Sequence, residues 1–282
     1  MKIIRVFPRR TKATPDDADV RIGTGPGLFD EADEVHVSCA FTWDLPQAER
    51  LELAWRPVAR TRIGGPATGE RGEDFTPGLY LKHGYTITSR GCPNRCWYCD
   101  VWKREGTTRE LSIQPGRNVL DDNLLACSPE HIKAVFSMLQ YQSGIREFTG
   151  GLEAARMTPA IAAGLRELHP KQVFFAFDSP EKYDALARAV QMLLAAGFTK
   201  ASKVIRTFVL IGYPGDTKDA ALARLLAAAK AGAVPAAMLY RNREGKRDES
   251  WARFQRTFVR PSTTAGYMAN REPRRWGSLQ EA

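Results

Sequence analysis

Ser89-Arg90-Gly91-Cys92-Pro93-Asn94-Arg95-Cys96-Trp97-Tyr98-Cys99-Asp100 holds three of the chain's five cysteines, spaced C-x3-C-x2-C. Three thiolates that close in sequence converge on one point when they ligate something. Cysteine thiolates are the usual ligands of iron–sulfur clusters, one per iron. A four-iron cluster held by three of them leaves one iron with an open site for a substrate or cofactor. The alternative is structural zinc, which takes four closed ligands, usually from two pairs. Here no second pair follows, and the nearest histidine is His83.

Working outward, the chain from residue 85 alternates strand and helix. Tyr85-Thr86-Ile87-Thr88-Ser89 reads as a strand that ends at the cysteine loop, which runs on, long and basic, through Lys103, Arg104 and Arg109. Asn118 to Leu125 reads as a second strand and Ile145 to Thr149 as a third, ending in Gly150-Gly151-Leu152-Glu153. Val173-Phe174-Phe175-Ala176-Phe177-Asp178 is almost continuously apolar, as a strand buried on both faces should be. Val204 to Ile211 and Ala236 to Tyr240 complete six. Between them lie helices opened by Ser128-Pro129-Glu130, Thr158-Pro159 and Ser179-Pro180-Glu181, each a capping hydroxyl followed by proline, and a further helix ends at Gly232. Ile132, Val135, Phe136 and Leu139 fall at helical spacing. Six parallel strands with right-handed crossovers predict an α/β fold, a (β/α)6 sheet curled into a partial TIM-like barrel. All the loops after the strands then lie at one end, where such folds bind ligands.

The C-x3-C-x2-C spacing, with an aromatic just before the last cysteine, resembles the signature of the radical S-adenosylmethionine (radical SAM) enzymes. The family's core is the same partial barrel, so motif and strand pattern point the same way over about residues 80–240. The resemblance implies that Cys92, Cys96 and Cys99 bind a [4Fe-4S] cluster, that Tyr98 is the family aromatic, and that SAM chelates the open iron. It implies an electron donor such as flavodoxin or ferredoxin, and reductive cleavage of SAM to a 5′-deoxyadenosyl radical that abstracts a substrate hydrogen.

For SAM itself, the resemblance points to acids at strand ends: Asp121 and Asp122 after the second strand, Glu153 after the third, and Asp178 with Ser179 after the fourth. Any one of these reads equally as a helix cap or surface acid. Gly150-Gly151-Leu152-Glu153 looks like the family's Gly-Gly-Glu element, though it follows the third strand where the family has it after the second. Asp121-Asp122-Asn123 resembles the element of the cobalamin-associated branch that stands in that place. Arg206 is expected either to point inward toward SAM's carboxylate or to be a structural arginine. Gly212-Tyr213-Pro214-Gly215 resembles the glycine turn that approaches adenine.

Ahead of the core, residues 1–78 read as a small α/β cap: a strand near 2–7, loop, a strand over Val35–Phe41, a helix over Asp44–Trp55, and a strand from Thr61 into Gly64-Gly65. Gly69 to Gly78 is a polar, glycine-rich linker. This remnant resembles the end of the cobalamin-binding domain that precedes some radical SAM cores. His36 lies in Glu34-Val35-His36-Val37-Ser38-Cys39 and not in that domain's D-x-H-x-x-G motif, so a degenerate, cofactor-free cap is expected. Residues 79–240 form the core and 241–282 a C-terminal extension. In that extension Ser250 to Val259 reads as a helix, and Pro273-Arg274-Arg275-Trp276 reads as a tail packed on the barrel rim or as a base-stacking element.

Composition bounds the rest. Apolar residues make up 43% of 282, enough for a buried core, and no apolar run reaches membrane-spanning length. No membrane association is expected. The charged N-terminus does not read as a signal peptide. An odd, clustered set of cysteines argues against a disulfide scaffold, and a reducing cytoplasm is the expected setting. Net charge of +9 points to a nucleic-acid or phosphorylated partner, or to a basic solvated surface. Cys39 and Cys127 are too few for a second cluster, which disfavours sulfur insertion. Two classes stay beside the radical enzyme of unknown substrate: an iron–sulfur or zinc regulator that binds nucleic acid without SAM chemistry, and a radical lyase acting on nucleic-acid bases.

Overall fold

The computed structural model describes residues 1–259 and residue 264. The chain divides into two compact units. The first holds Met1–Gly151 with Arg243–Gly245, and the second holds Leu152–Asn242 and the rest. The division at residue 151, rather than at the linker, shows that the cap and the start of the core share one body.

In the first unit, β1 (Ile3–Phe7), β2 (Val20–Ile22), β3 (Glu34–Ser38) and β4 (Arg60–Gly64) form an all-parallel sheet in the order β2-β1-β3-β4. β2 lies in a stretch expected to be loop. Its three residues are all half-buried and carry no apolar periodicity that would reveal it. Helix α1 (Leu45–Trp55) covers the sheet, with Ala48, Leu51 and Trp55 against Ile4, Val6, Val35, Val37 and Cys39. Trp55 is fully buried, and its indole N–H donates to the Thr24 carbonyl at 3.0 Å. Cys39 is thus a core residue.

A second sheet of six strands has the order β12-β11-β10-β9-β8-β5. Its strands are β5 (Tyr85–Thr86), β8 (Asn118–Val119), β9 (Glu147–Leu152), β10 (Gln172–Ala176), β11 (Ile205–Ile211) and β12 (Val234–Leu239). It is the parallel sheet that the alternating pattern predicts. Two expected strands prove shorter. After Thr86 the chain leaves the sheet, and β6 (Ser89–Arg90) pairs antiparallel with β7 (Arg109–Glu110), so the cysteine loop is the tip of a hairpin that also carries helix α2 (Val101–Arg104). After Val119 the expected second strand turns away. Leu120 N–H still donates to the Thr86 carbonyl at 2.9 Å, but Leu124–Ala126 form a 3-10 turn. Side-chain bonds from Asp121, described below, take over from the ladder. Conversely, β9 runs through Gly150 and Gly151 instead of stopping before them.

The first unit also holds α3 (Pro129–Gln140), whose cap Ser128 Oγ accepts the His131 N–H at 3.2 Å. The second unit carries α4 (Pro159–Leu168), α5 (Tyr183–Ala195) and α6 (Lys218–Ala231), and then α7 (Glu249–Thr257), which packs on β12. There Gln255 Nε2 donates to the Ala237 carbonyl at 3.1 Å, and Phe258 is buried. The arginine–aromatic tail at residues 273–276 lies outside the described residues.

Candidate metal centre

The cysteine loop leaves β6 at Gly91, where φ is +85°. A Cβ built there would sit 2.3 Å from the Thr107 carbonyl oxygen, so only glycine lets the two arms of the hairpin approach this closely. Cys92 N–H donates to the Gly106 carbonyl at 3.1 Å, and Cys99 N–H to the Cys96 carbonyl at 3.1 Å. Trp102 Nε1 donates to the same Cys96 carbonyl at 3.0 Å, which ties α2 to the loop.

Three consecutive residues after β8 hold the base of this loop. Asp121 is 1% exposed. One of its oxygens accepts Thr88 N–H at 2.6 Å, and the other accepts the hydroxyls of Thr88 at 2.6 Å and Ser89 at 2.7 Å. Asp122 accepts Gly91 N–H at 2.8 Å. Asn123 Nδ2 donates to Cys92 Sγ at 3.4 Å, within the reach of a hydrogen bond to sulfur. Asp121, Asp122 and Asn123 therefore position the strand end and the first sulfur, and the Asp121 carboxylate, expected as a contact for SAM, is fully engaged inside the protein. Burial pushes the Asp121 carboxyl up against these bonds, and burial likewise raises Asp122, with Gly91 N–H pulling it down. His131, on α3, completes the base: its Nε2 lies 3.2 Å from the Thr88 hydroxyl.

Gly150 belongs to the same construction. A Cβ there would sit 2.2 Å from the Asp121 carbonyl oxygen, so the glycine lets β9 cross close to the clamp. Its neighbour Gly151, also in the first unit, has open space where a side chain would stand. Tyr98 is half-buried, with its ring edge-on to Trp97 at 5.4 Å between centroids.

The sulfurs suit the donor set of a three-cysteine cluster. Cys92, Cys96 and Cys99 are half-buried and none is in a disulfide. Burial raises the Cys99 thiol above its ordinary range, and the neighbouring Cys96 and Cys92 raise it further, so both lie within electrostatic reach of Cys99. A positive metal centre acts in the opposite sense, since only the thiolate ligates. As the side chains stand, no set of three His, Cys, Asp or Glu among the described residues is gathered as metal ligands. The loop brings two of the thiols within electrostatic reach of the third without gathering the three as a ligand set.

Beside this loop lies a group that the sequence did not single out. Glu105 is 3% exposed. Its carboxylate takes Arg104 Nε at 2.9 Å and Gly72 N–H at 3.1 Å, with Arg90 and Arg109 each at 3.9 Å. A buried carboxylate needs such partners. The available signal was a single acid within a basic run from Lys103 to Arg109.

In the second unit, Glu153 follows β9 directly and accepts Arg156 Nε at 2.8 Å. Asp178 Oδ1 accepts Leu210 N–H at 2.9 Å and so ties β11 to the end of β10, while Ser179 bonds the Glu181 carboxylate and lowers its pKa. Gly212 lies at the end of β11, but the space beside it is filled: a Cβ there would meet Leu239 and Trp251 at 2.9 and 3.0 Å. Arg206 lies elsewhere on the same strand. It is the second residue of β11, at the end opposite Gly212. Its guanidinium lies over the Phe174 ring at 5.7 Å, and its Nε donates to the Lys203 carbonyl at 3.3 Å. Six residues of strand span roughly 20 Å, which places this side chain far from the strand's C-terminal loop.

In the cap, His36 is 4% exposed, with Nε2 on Glu34 at 2.9 Å and Nδ1 on the Tyr80 hydroxyl at 2.8 Å. Both ring nitrogens are engaged within the protein. No family model matches the chain, and no curated protein matches it. No helix among the described residues is long and apolar enough to cross a membrane.

Proposed function

We propose that the chain is an iron–sulfur enzyme of the radical SAM kind, with Cys92, Cys96 and Cys99 as ligands to a [4Fe-4S] cluster and SAM as its co-substrate. One observation carries the reading: the C-x3-C-x2-C loop lies in the β6–β7 hairpin just beyond the parallel strand β5, and is pinned there by Asp121, Asp122 and Asn123. A structural zinc site asks for four protein ligands, usually cysteines and histidines from two pairs, and the loop carries three cysteines and no histidine.

Cys92, Cys96 and Cys99 would hold the cluster, which when bound and reduced would supply the electron for reductive cleavage of SAM and so for hydrogen abstraction from the substrate. The chain's own residues orient and shield. Gly91 and Asp122 fix the loop's entry, Asn123 holds the first sulfur, and half-burial of the three sulfurs limits access of water and oxidant. The curl of the six parallel strands into a partial (β/α)6 barrel belongs to the same proposal. So do an electron donor of the flavodoxin or ferredoxin type and an anionic substrate, nucleic acid included, which the net charge of +9 favours.

The test is anaerobic reconstitution with iron and sulfide, reduction, and addition of SAM. The wild-type protein should form 5′-deoxyadenosine, and Cys96→Ala should form none. Equal cleavage by Cys96→Ala rejects the assignment. A wild-type protein that holds a cluster, cleaves no SAM and binds oligonucleotides in a salt-dependent way would be a regulator instead. Glu153→Ala, Asp178→Ala and Ser179→Ala in the same assay decide whether those residues act on SAM.

A further inference from the structure

The first unit contains a cavity of about 370 Å³, within the roughly 300–1,000 Å³ of small-molecule sites. It opens at the carboxyl ends of β1, β3 and β4, where Phe7, Ser38 and Gly64 line it. Open parallel sheets bind ligands at this edge. Phe75, Leu79 and Tyr80, from the linker and just beyond, supply further apolar wall. The linker is held in place, not loose: Arg109 donates to the Gly72 carbonyl at 2.7 Å, and Arg90 Nε to the Glu73 carbonyl at 3.3 Å.

Charge is uneven around this space. Arg90 and Arg104 line it from the side of the cysteine loop. With Arg109 they gather round the buried carboxylate of Glu105. Asp122 is a further acid within electrostatic reach of Arg90 and Arg104, and its oxygen holds Gly91 N–H. Glu70, Glu73 and Asp74 are exposed on the rim, where solvent and salt screen them. At another wall, Arg9 is paired with Asp44. Each guanidinium carries five donors. Arg104 places one on Glu105 and one on the Pro66 carbonyl, at 3.2 Å, which leaves donors for a ligand. His36 is already engaged on both sides, so polar recognition falls to the arginines.

We propose that this cavity binds a small organic anion, a ring-bearing carboxylate or phosphate, with its charged end at Arg90 and Arg104 and its body against Phe7, Phe75 and Tyr80. The binding does not rest on the radical reading. Where both hold, the ligand lies beside β6, from which the cysteine loop springs, as a substrate would.

The probes are 1-anilinonaphthalene-8-sulfonate, a ring-bearing anion, and its neutral relative N-phenyl-1-naphthylamine. Each is titrated by fluorescence into the full chain, before and after iron–sulfur reconstitution. The anion should bind at a single saturable site, at least fivefold tighter than the neutral probe, and added salt should narrow the gap. Arg104→Gln should erase the preference. Gly64→Phe, where a built Cβ meets no atom within 4 Å, should fill the cavity and weaken both probes at least tenfold with the thermal midpoint unchanged. Equal affinity for the two probes, unsaturable binding, or undiminished binding by Gly64→Phe overturns the proposal. Should Arg104→Gln fail to fold, the probe preference of the wild type and Gly64→Phe still decide it. Failure here leaves SAM cleavage to be judged on its own assay.

Discussion

At the residue scale, Cys127 separates a reactive cysteine from a structural one. It lies just ahead of the α3 cap, and burial pushes its thiol up to about 11, with a bond from Ser89 opposing and the charges of Asp121 and Glu110 assisting. It is a poor nucleophile at neutral pH, since the thiolate is the reactive form. Alkylation of Cys127 by iodoacetamide, read by mass spectrometry, should rise only as pH approaches 11. An ordinary midpoint near 8.5 would contradict the structure. The thiol's raised pKa also favours the folded state below the unfolded value, and that contribution is lost as pH climbs through the folded one. The identity of the three candidate ligands was legible in the spacing alone. The partners of the acids were not, because Asp121 binds Thr88 and Ser89 across more than thirty residues and no local pattern encodes such a contact.

At the element scale, the clamp after β8 explains why two strands are shorter than their sequences suggest. The alternation of Asn118 to Leu125 favours a strand. Three side-chain bonds from Asp121 to the end of the first strand outweigh continuation of the ladder, because a buried carboxylate without partners is costly. Asp121→Ala should lower the folding free energy by about 3 kcal/mol, the scale of lost bonds to a charged group. Urea denaturation should show the loss as a lower midpoint at an unchanged slope. The variant should also retain less iron after reconstitution. An undiminished midpoint would mean that the clamp does not hold the loop. The starts of α3 and α4 were legible nearly to the residue, since Ser128 and Thr158 cap them by accepting backbone N–H groups, whereas Ser179, read as the cap of the next helix, opens a 3-10 turn without a side-chain cap bond and α5 begins at Tyr183. The hairpin of β6 and β7 was not, because its strands are only two residues each and lie inside a basic run.

At the scale of the whole molecule, the six parallel strands followed from the alternation of apolar strands and capped helices, and the four-stranded cap sheet followed in three of its strands. The body to which the cap belongs did not follow. Its core centres on Trp55, which is fully buried among Ile4, Val35 and Val37. Trp55→Ala should cost about 3–5 kcal/mol. Because the cap and the cysteine loop lie in one compact unit, the loss should appear in calorimetry as a lower midpoint for the transition that releases cluster iron. A cap transition that moves alone, with iron release unchanged, would show that the two unfold independently.

The most direct test of the central claim is electron paramagnetic resonance of the anaerobically reconstituted, reduced protein with and without SAM. A cluster held by Cys92, Cys96 and Cys99 with an open iron should give a reduced four-iron signal whose g-values shift when SAM is added. A wild-type protein without that signal, a signal indifferent to SAM, or the same shifted signal from the Cys92→Ala, Cys96→Ala, Cys99→Ala triple variant would contradict it.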